Sequence, residues 1–289
     1  MTVWADALIQ GILLGGLYAL FAAGLSLIFG IMRFVNLAHG DLIILAAFVI
    51  LTVAAWLNLN PFAATLAALP IMFIVGFALQ HLLLNRTLGG ELLPPLLVTF
   101  GLSIIIENAL LELFSADSRR LLGGSIETAS IALSPDVAMG VVPLLTLASA
   151  LVIIFALNVV FYRTALGRAF RATSDDVEIA QLMGIDHPRI FSLAMALAFV
   201  VLTIAALYLG MHANFDPTAG PERLLYAFEA VIVGGLGSLW GTLFGGIIIG
   251  VAQTTGAQLN PEWQILAGHV AFLVVLVLKP RGLFPRATD

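Results

Sequence analysis

Few side chains in this sequence can do chemistry, and most of them interrupt long apolar runs. The densest group is Arg33-Phe34-Val35-Asn36-Leu37-Ala38-His39-Gly40-Asp41, which sets a cation, an amide, an imidazole and a carboxylate between two uncharged stretches. Polar groups in or beside a bilayer are costly and tend to face a cavity or a protein partner. On that reading Asn36 and His39 line or shape a passage, Gly40 admits a close backbone and Asp41 adds a charge. The competing reading is a turn at the membrane edge, with Asn36 and Asp41 capping helices. Glu107, Asn108, Glu112 and Glu229 sit within or near the ends of other apolar runs. Carboxylates there can relay protons or meet a substrate amine; they also serve as hydrogen-bonding links between helices, with Glu112 near the outer interface.

A second polar segment, Gly167 to Asp186, is flanked by Arg163 and Arg189. Its pattern predicts two short amphipathic helices, one with Ala169 and Phe170 among arginines and one with Ile179, Leu182 and Met183 at helical spacing behind an Asp-rich start. Such an element either docks its apolar anchors in a groove of a soluble partner or lies on the lipid surface with its arginines at the headgroups.

Several chemistries are missing. The chain has no cysteine, its one lysine is Lys279, and the histidines at 39, 81, 187, 212 and 269 form no paired metal-ligand motif. There is neither a Gly-x4-Gly-Lys-Ser/Thr phosphate loop nor a Gly-x-Ser-x-Gly elbow. The sequence therefore reads as a non-enzyme with no metal site and no cofactor of its own, and its net charge of −5 points to no nucleic acid.

The elements that must carry these residues follow from composition. The 289 residues are 61% hydrophobic and 10% charged, with a mean hydropathy of +1.09, where a soluble domain carries roughly 25% charged residues. Uncharged runs such as Ala7 to Met32, Val137 to Tyr162 and Ile190 to Phe215 exceed the roughly 20 residues that cross a bilayer. They are too long and unalternating for barrel strands, so the fold class is all-α, a polytopic integral membrane protein. The first run follows Asp6 with no basic segment before it, which predicts a retained span rather than a cleaved leader.

Spans are predicted near 7–30, 42–57, 61–84, 93–114, 138–162, 189–210 and 263–279, with a composite run at 224–252, about eight or nine crossings in one domain of 1–289. Arginine and lysine favour the cytoplasmic side. Placing the 163–189 loop and the tail with Lys279, Arg281 and Arg286 there puts nine of the twelve basic residues inside. The N-terminus and the 115–137 loop then face outward. The count closes only if 224–252 contributes an even number of crossings, as two short helices or a re-entrant pair broken at Gly234-Gly235-Leu236-Gly237-Ser238. Opened backbone is tolerated in a membrane only beside protein or water, so Gly234, Gly235, Gly237 and Ser238 join Asn36, His39, Gly40, Asp41 and Glu107 as candidate pathway residues.

Across essentially its whole length the chain resembles the permease subunits of branched-chain amino acid ATP-binding-cassette importers. The resemblance lies in Gly15-Gly16-Leu17-Tyr18-Ala19-Leu20, Asn36-Leu37-Ala38-His39-Gly40-Asp41, the Gly167–Asp186 loop and Gly234-Gly235-Leu236-Gly237-Ser238. It implies a bacterial inner-membrane importer of branched-chain or other small amino acids. This permease would pair with a homologous second permease, two cytoplasmic ATPases that bind ATP and magnesium, and a periplasmic solute-binding protein. It further implies two pseudo-symmetric halves, although no internal repeat is visible in the sequence. The 163–189 loop would be the ATPase-coupling element, with Gly167, Arg168, Arg171, Glu178, Ala180, Leu182, Met183 and Gly184 as its residues; the match is loose around Asp175-Asp176. The alternatives are a proton-coupled secondary transporter using Glu107 or Glu229 without ATPases, and a membrane scaffold that carries no solute.

Overall fold

Hydrocarbon leaves a backbone amide without a partner unless the chain supplies one, and the chain responds with helices almost throughout. The computed structural model describes residues 2–88, 93–134 and 137–284, so Arg286 lies outside the described residues. In order the helices are α1 (Thr2–Met32), α2 (His39–Leu57), α3 (Pro61–Leu82), α4 (Leu93–Phe114), α5 (Ser125–Thr128), α6 (Val141–Arg163), α7 (Ala165–Asp175), α8 (Val177–Leu182), α9 (His187–His212), α10 (Gly220–Gly234), α11 (Leu239–Leu259) and α12 (Gln264–Leu278). A small antiparallel hairpin, β1 (Ser130–Ser134) with β2 (Val137–Gly140), follows α5. Among the described residues, seven helical stretches are long and apolar enough to span a membrane, and α10 and α11 form an eighth unit bent by 116°. The composite run is therefore two helices with a turn at Gly235 to Ser238.

Hydrogen bonds fix the two ends of the bundle. At one end, which carries Arg33, Arg86 and Arg163, Ser174 of α7 donates to the Gly30 carbonyl at 2.8 Å and Asn85 donates to the Pro188 carbonyl at 3.0 Å. At the other, the hairpin end, Gln10 of α1 donates to the Ala138 carbonyl at 2.9 Å. There too the Leu121 amide donates to the Gly210 carbonyl at 2.9 Å. Because α11 meets Gly30 near its start and Gly11 near Thr254, it runs antiparallel to α1 over most of the latter's length.

That pair forms the centre of the bundle through small residues. Gly11 and Gly15 on α1 face Gly246 and Gly250 on α11, each pair four residues apart. A Cβ at Gly15 would fall 2.4 Å from the Ile247 Cα, and one at Gly250 would fall 2.3 Å from the Gly11 carbonyl oxygen. Lipid tails are as apolar as leucine, so close backbone packing rather than water exclusion holds helices together there.

The turn expected at Arg33–Asp41 is instead a return into the bundle. His39 Nε2 contacts the Phe21 carbonyl at 2.8 Å, and Phe21 lies eleven residues back from Met32, roughly 17 Å along α1. Residues 33–38 thus carry the chain back to mid-depth, where α2 begins. The segment after α9 does the same from the hairpin end and starts α10. The two legs share a local geometry. Asn36 Oδ1 accepts from the Ala38 amide at 3.1 Å, and the Asn36 carbonyl accepts from His39 at 3.1 Å. Asp216 Oδ1 accepts from the Thr218 amide at 2.9 Å, and the Asp216 carbonyl accepts from Ala219 at 3.2 Å. Each Asx residue precedes a glycine by four positions, and Gly40 and Gly220 pack against one another. The two legs thus enter from opposite ends of the bundle through the same local turn, Asx-x-x-x-Gly.

At the Gly40 crossing a Cβ would fall 1.9 Å from the Gly220 carbonyl oxygen. Gly40→Ala is expected to lower stability by about 3 kcal/mol, the upper part of the overpacking range. Gly101→Ala, on α4 where nothing lies within 4 Å, should be neutral or stabilising by about 0.5–1 kcal/mol. Detergent-solubilised melting curves of the two variants check both; equal melting points would remove the crossing from the argument.

Candidate functional site

The chemistry-bearing residues gather in four places. The first is the mid-depth crossing. Asp41 stands in the first turn of α2, where Ser103 of α4 donates to its Oδ2 at 2.5 Å, and its Oδ1 lies against Gly220 without a hydrogen-bond partner. The carboxylate therefore sits at the N-termini of both α2 and α10, where unpaired amides and the helix dipole favour negative charge. Glu107 is on the same face of α4, four residues beyond Ser103, and half-buried. Asn36 and His39 are fully enclosed. In this conformation one builds the Asx turn and the other ties α2 to α1, and neither walls an opening.

The second place is an apolar groove beside that crossing, lined by Val35, Leu37, Pro221, Leu224, Leu225 and Phe228. It joins the 33–38 leg to one face of α10 and is partly open. Sequence reasoning passed over these residues because an apolar wall for a solute and a core face read identically by composition. The proline at the first turn of α10 and the doubled Leu224-Leu225 carry no signal of their own.

The third is a polar network through α1, α10, α11 and α12. Tyr18 donates to Gln253 Oε1 at 2.7 Å and stacks on Tyr226 with centroids 4.8 Å apart. Tyr226 donates to Glu222 Oε1 at 3.0 Å, and Glu229 Oε1 meets His269 Nδ1 at 2.5 Å. Glu229 was singled out from the sequence, whereas Gln253 and His269, a lone amide and a lone imidazole in apolar helices, carried the same signal and were not used.

The fourth is the arginine end. Thr164 caps α7 and Asp176 caps α8, accepting from Gly167 and Ile179 at 3.0 and 2.9 Å. The acid pair at 175–176 is thus explained by the start of the second helix. Gly167 packs on the Val160 and Phe161 carbonyls, with no room for a side chain, and Phe170 is buried against Phe161 at 5.5 Å. Arg171 donates to the Phe161 carbonyl and holds its guanidinium 5.4 Å from the Tyr162 ring centre, while Arg168 points to solvent. In α8, Ala180 is buried and Glu178 exposed; Gly184 ends the helix with φ +84°. The apolar residues Ile179, Leu182 and Met183 protrude, 60%, 86% and 78% exposed. Gly234, Gly235, Gly237 and Ser238 form the turn between α10 and α11 at this same end, away from the mid-depth crossing, with Gly237 3.4 Å from where a Cβ on Gly30 would lie.

Comparison with known proteins matches residues 7–278 to the family described as "Branched-chain amino acid transport system / permease component". The chain is 28% identical over 298 residues to the high-affinity branched-chain amino acid transport system permease protein BraD of Pseudomonas aeruginosa, covering 98% of this chain and 96% of the relative. It is 27% identical over 300 residues to LivH of Salmonella typhimurium, named for the same kind of system, covering 96% and 94%. The fructose import permease protein FrcC of Rhizobium meliloti is 32% identical over 129 residues, 41% of this chain and 35% of the relative.

The Glu229–His269 contact makes a measurable demand on stability. His269→Ala leaves a carboxyl that is 2% exposed without its partner, an expected loss of about 3 kcal/mol. Adding Glu229→Gln should restore a large part of it. A double-mutant cycle on detergent-solubilised protein reads the coupling; additive losses would show that the two side chains act separately.

Proposed function

The chain belongs to the branched-chain amino acid transport permease family, and we propose that it is the membrane subunit of an ATP-driven importer whose energy and specificity come from separate proteins. Its task is translocation. Two soluble ATPases, which bind ATP and magnesium, dock on the arginine end; a homologous permease packs beside it; a periplasmic binding protein delivers solute at the hairpin end. The chain lies in the bacterial inner membrane, with its arginine end and C-terminus cytoplasmic and its N-terminus and residues 115–137 periplasmic, the arrangement that the arginine bias favours.

The observation that carries this reading is the α7–α8 unit. Phe170 anchors it to the bundle, and Ser174 ties it to Gly30 at the end of α1, while Ile179, Leu182 and Met183 stand exposed beyond the anchor. The apolar face of α7 is already spent on the bundle. The exposed trio on α8 therefore supports docking into a groove of a soluble partner, with helix-in-groove spacing. A displacement of α8 passes through α7 to α6, α9 and α1, the helices it packs on.

The solute reading rests on the groove at the crossing. Its six lining residues offer Val, Leu, Pro and Phe surfaces to an aliphatic side chain, which fits leucine, isoleucine or valine, with the homologous permease closing the other side. The partial likeness to a permease named for fructose import supports a reading in which solute choice belongs to the binding protein and the groove rather than to the scaffold.

Uptake by the complex reconstituted with its ATPases tests the proposal. Leu182→Asp with Met183→Asp should reduce ATP-dependent leucine uptake at least roughly tenfold, since apolar anchors in such interfaces are worth about 1.4 kcal/mol or more together, with membrane insertion unchanged. Unaltered uptake would sink the docking role, and uptake driven by a proton gradient without ATPases would establish the secondary carrier instead. Orientation is checked independently, because the chain has no cysteine. A single cysteine at Ser125 should react with an impermeant maleimide in intact spheroplasts and one at Asp175 only after lysis; the reverse pattern would invert the assignment.

A further inference from the structure

A cleft at the arginine end has features that transport leaves unused. It opens between α1, α6 and the start of α11, lined by Ser26, Asn158, Tyr162, Ser238 and Trp240 among others, and none of its lining residues is acidic. Ser26 is 1% exposed, and its Oγ has no hydrogen-bond partner among the described residues. The Asn158 side chain likewise has no partner among them, although it sits in an apolar helix. Both line the same cleft.

The third wall is the N-terminus of α11. Ser238 caps the helix by accepting from the Gly241 amide at 3.1 Å, which leaves the amides of Leu239 and Trp240 with no acceptor among the described residues. The turn feeding it contains Gly235 and Gly237 at φ +105° and +78°, and a glycine-rich turn entering a helix presents amides to an anion. An unpaired hydroxyl, an unpaired amide and two free backbone donors thus converge on one space. Such donors inside a membrane protein call for an acceptor.

The rim names the class of acceptor. Tyr162 and Trp240 are exposed at the mouth, in the manner of aromatic residues at the headgroup level. Arg171 lies over Tyr162, and Arg163 is exposed beside it with no ion-pair partner among the described residues. Val159 and Phe155, one and two turns deeper on α6, are exposed apolar surface. The site is polar and cationic at the arginine end and continues into hydrocarbon-facing surface. We propose that this cleft binds the phosphodiester headgroup of an anionic phospholipid, its acyl chains lying along α6. The inference does not rest on the transport reading.

The test uses the full-length protein with its co-purifying partners, delipidated in detergent and titrated with phosphatidylglycerol, phosphatidylcholine or inorganic phosphate under native mass spectrometry. Phosphatidylglycerol should bind at one site per chain at concentrations where the other two do not. Ser26→Ala with Asn158→Ala should weaken that binding roughly tenfold, the effect of removing charge-assisted hydrogen bonds, while Asn108→Ala on α4 leaves it unchanged. Equal binding by the double variant overturns the proposal, as does inorganic phosphate binding as tightly as the lipid, which would make this a free-anion site. Should the double variant fail to fold, a chain whose Trp4, Trp56 and Trp263 are changed to Phe isolates the fluorescence of Trp240. Stronger quenching by chain-brominated phosphatidylglycerol than by brominated phosphatidylcholine supports the site, and equal quenching rejects it.

Discussion

Two helices that begin inside a membrane must hide the amides of their first turns, and this protein does so by pressing the two starts together. At Gly40 and Gly220 the backbones come closer than any side chain would permit. Each start is prepared by an Asx turn that pairs two amides at the helix entrance, and the Asp41 carboxylate sits between the two positive ends. Pro221 at the first turn of α10 removes one further amide that would need a partner. Everything else in the bundle is arranged around that junction. α1 and α9 must be long enough to feed a leg back to mid-depth, and α1 and α11 must approach closely enough to enclose it.

The crossing also divides labour along the membrane normal. Toward the hairpin end, backbone pairs join Arg119 to Phe215 and Leu121 to Gly210 and hold the end of α9. Toward the arginine end, Leu283 and Phe284 donate to the carbonyls of Val233 and Gly234, so the tail pins the end of α10. The half-helix is thus held at its C-terminus by the tail and at its start by glycine contact, with the Tyr18–Tyr226 stack and the Glu229–His269 contact between. Of these restraints, the glycine contact holds no side chains in register and carries no directional hydrogen bond. The groove of Leu37, Leu224 and Phe228 lies directly beside it.

Much of this architecture was legible from the residues. Apolar runs gave most helices within a few residues, because a lipid-facing helix announces itself by length and lack of charge, and the even number of crossings needed from 224–252 required the break at Gly234 to Ser238. What composition did not reveal was depth. Arg33 to Asp41 contains the same residues whether it turns at the membrane edge or returns to mid-bilayer; the outcome depends on His39 finding the Phe21 carbonyl and Gly40 finding Gly220, contacts across 18 and 180 positions. The shared turn was invisible for a related reason. Only the Asx and the glycine are needed to start a helix against its twin, and the positions between are free to differ, Leu-Ala-His in one half and Pro-Thr-Ala in the other. The amphipathic α7–α8 pair was readable as helices, but its two apolar faces have different uses that only packing separates.

A permease of this kind carries few marks of its solute. A site that bound an amino acid tightly would place charged groups against its ammonium and carboxylate and would hold it in hydrocarbon at a depth from which release is slow. The groove at the crossing is lined by apolar residues instead, and the Asp41 carboxylate is turned inward onto Gly220 and Ser103. A wall of Leu, Val and Phe with a buried charge behind it offers no charged groups to an ammonium or a carboxylate. Under the proposed function, recognition falls to the solute-binding protein, and the membrane chain keeps its polar chemistry for holding two half-helices in place.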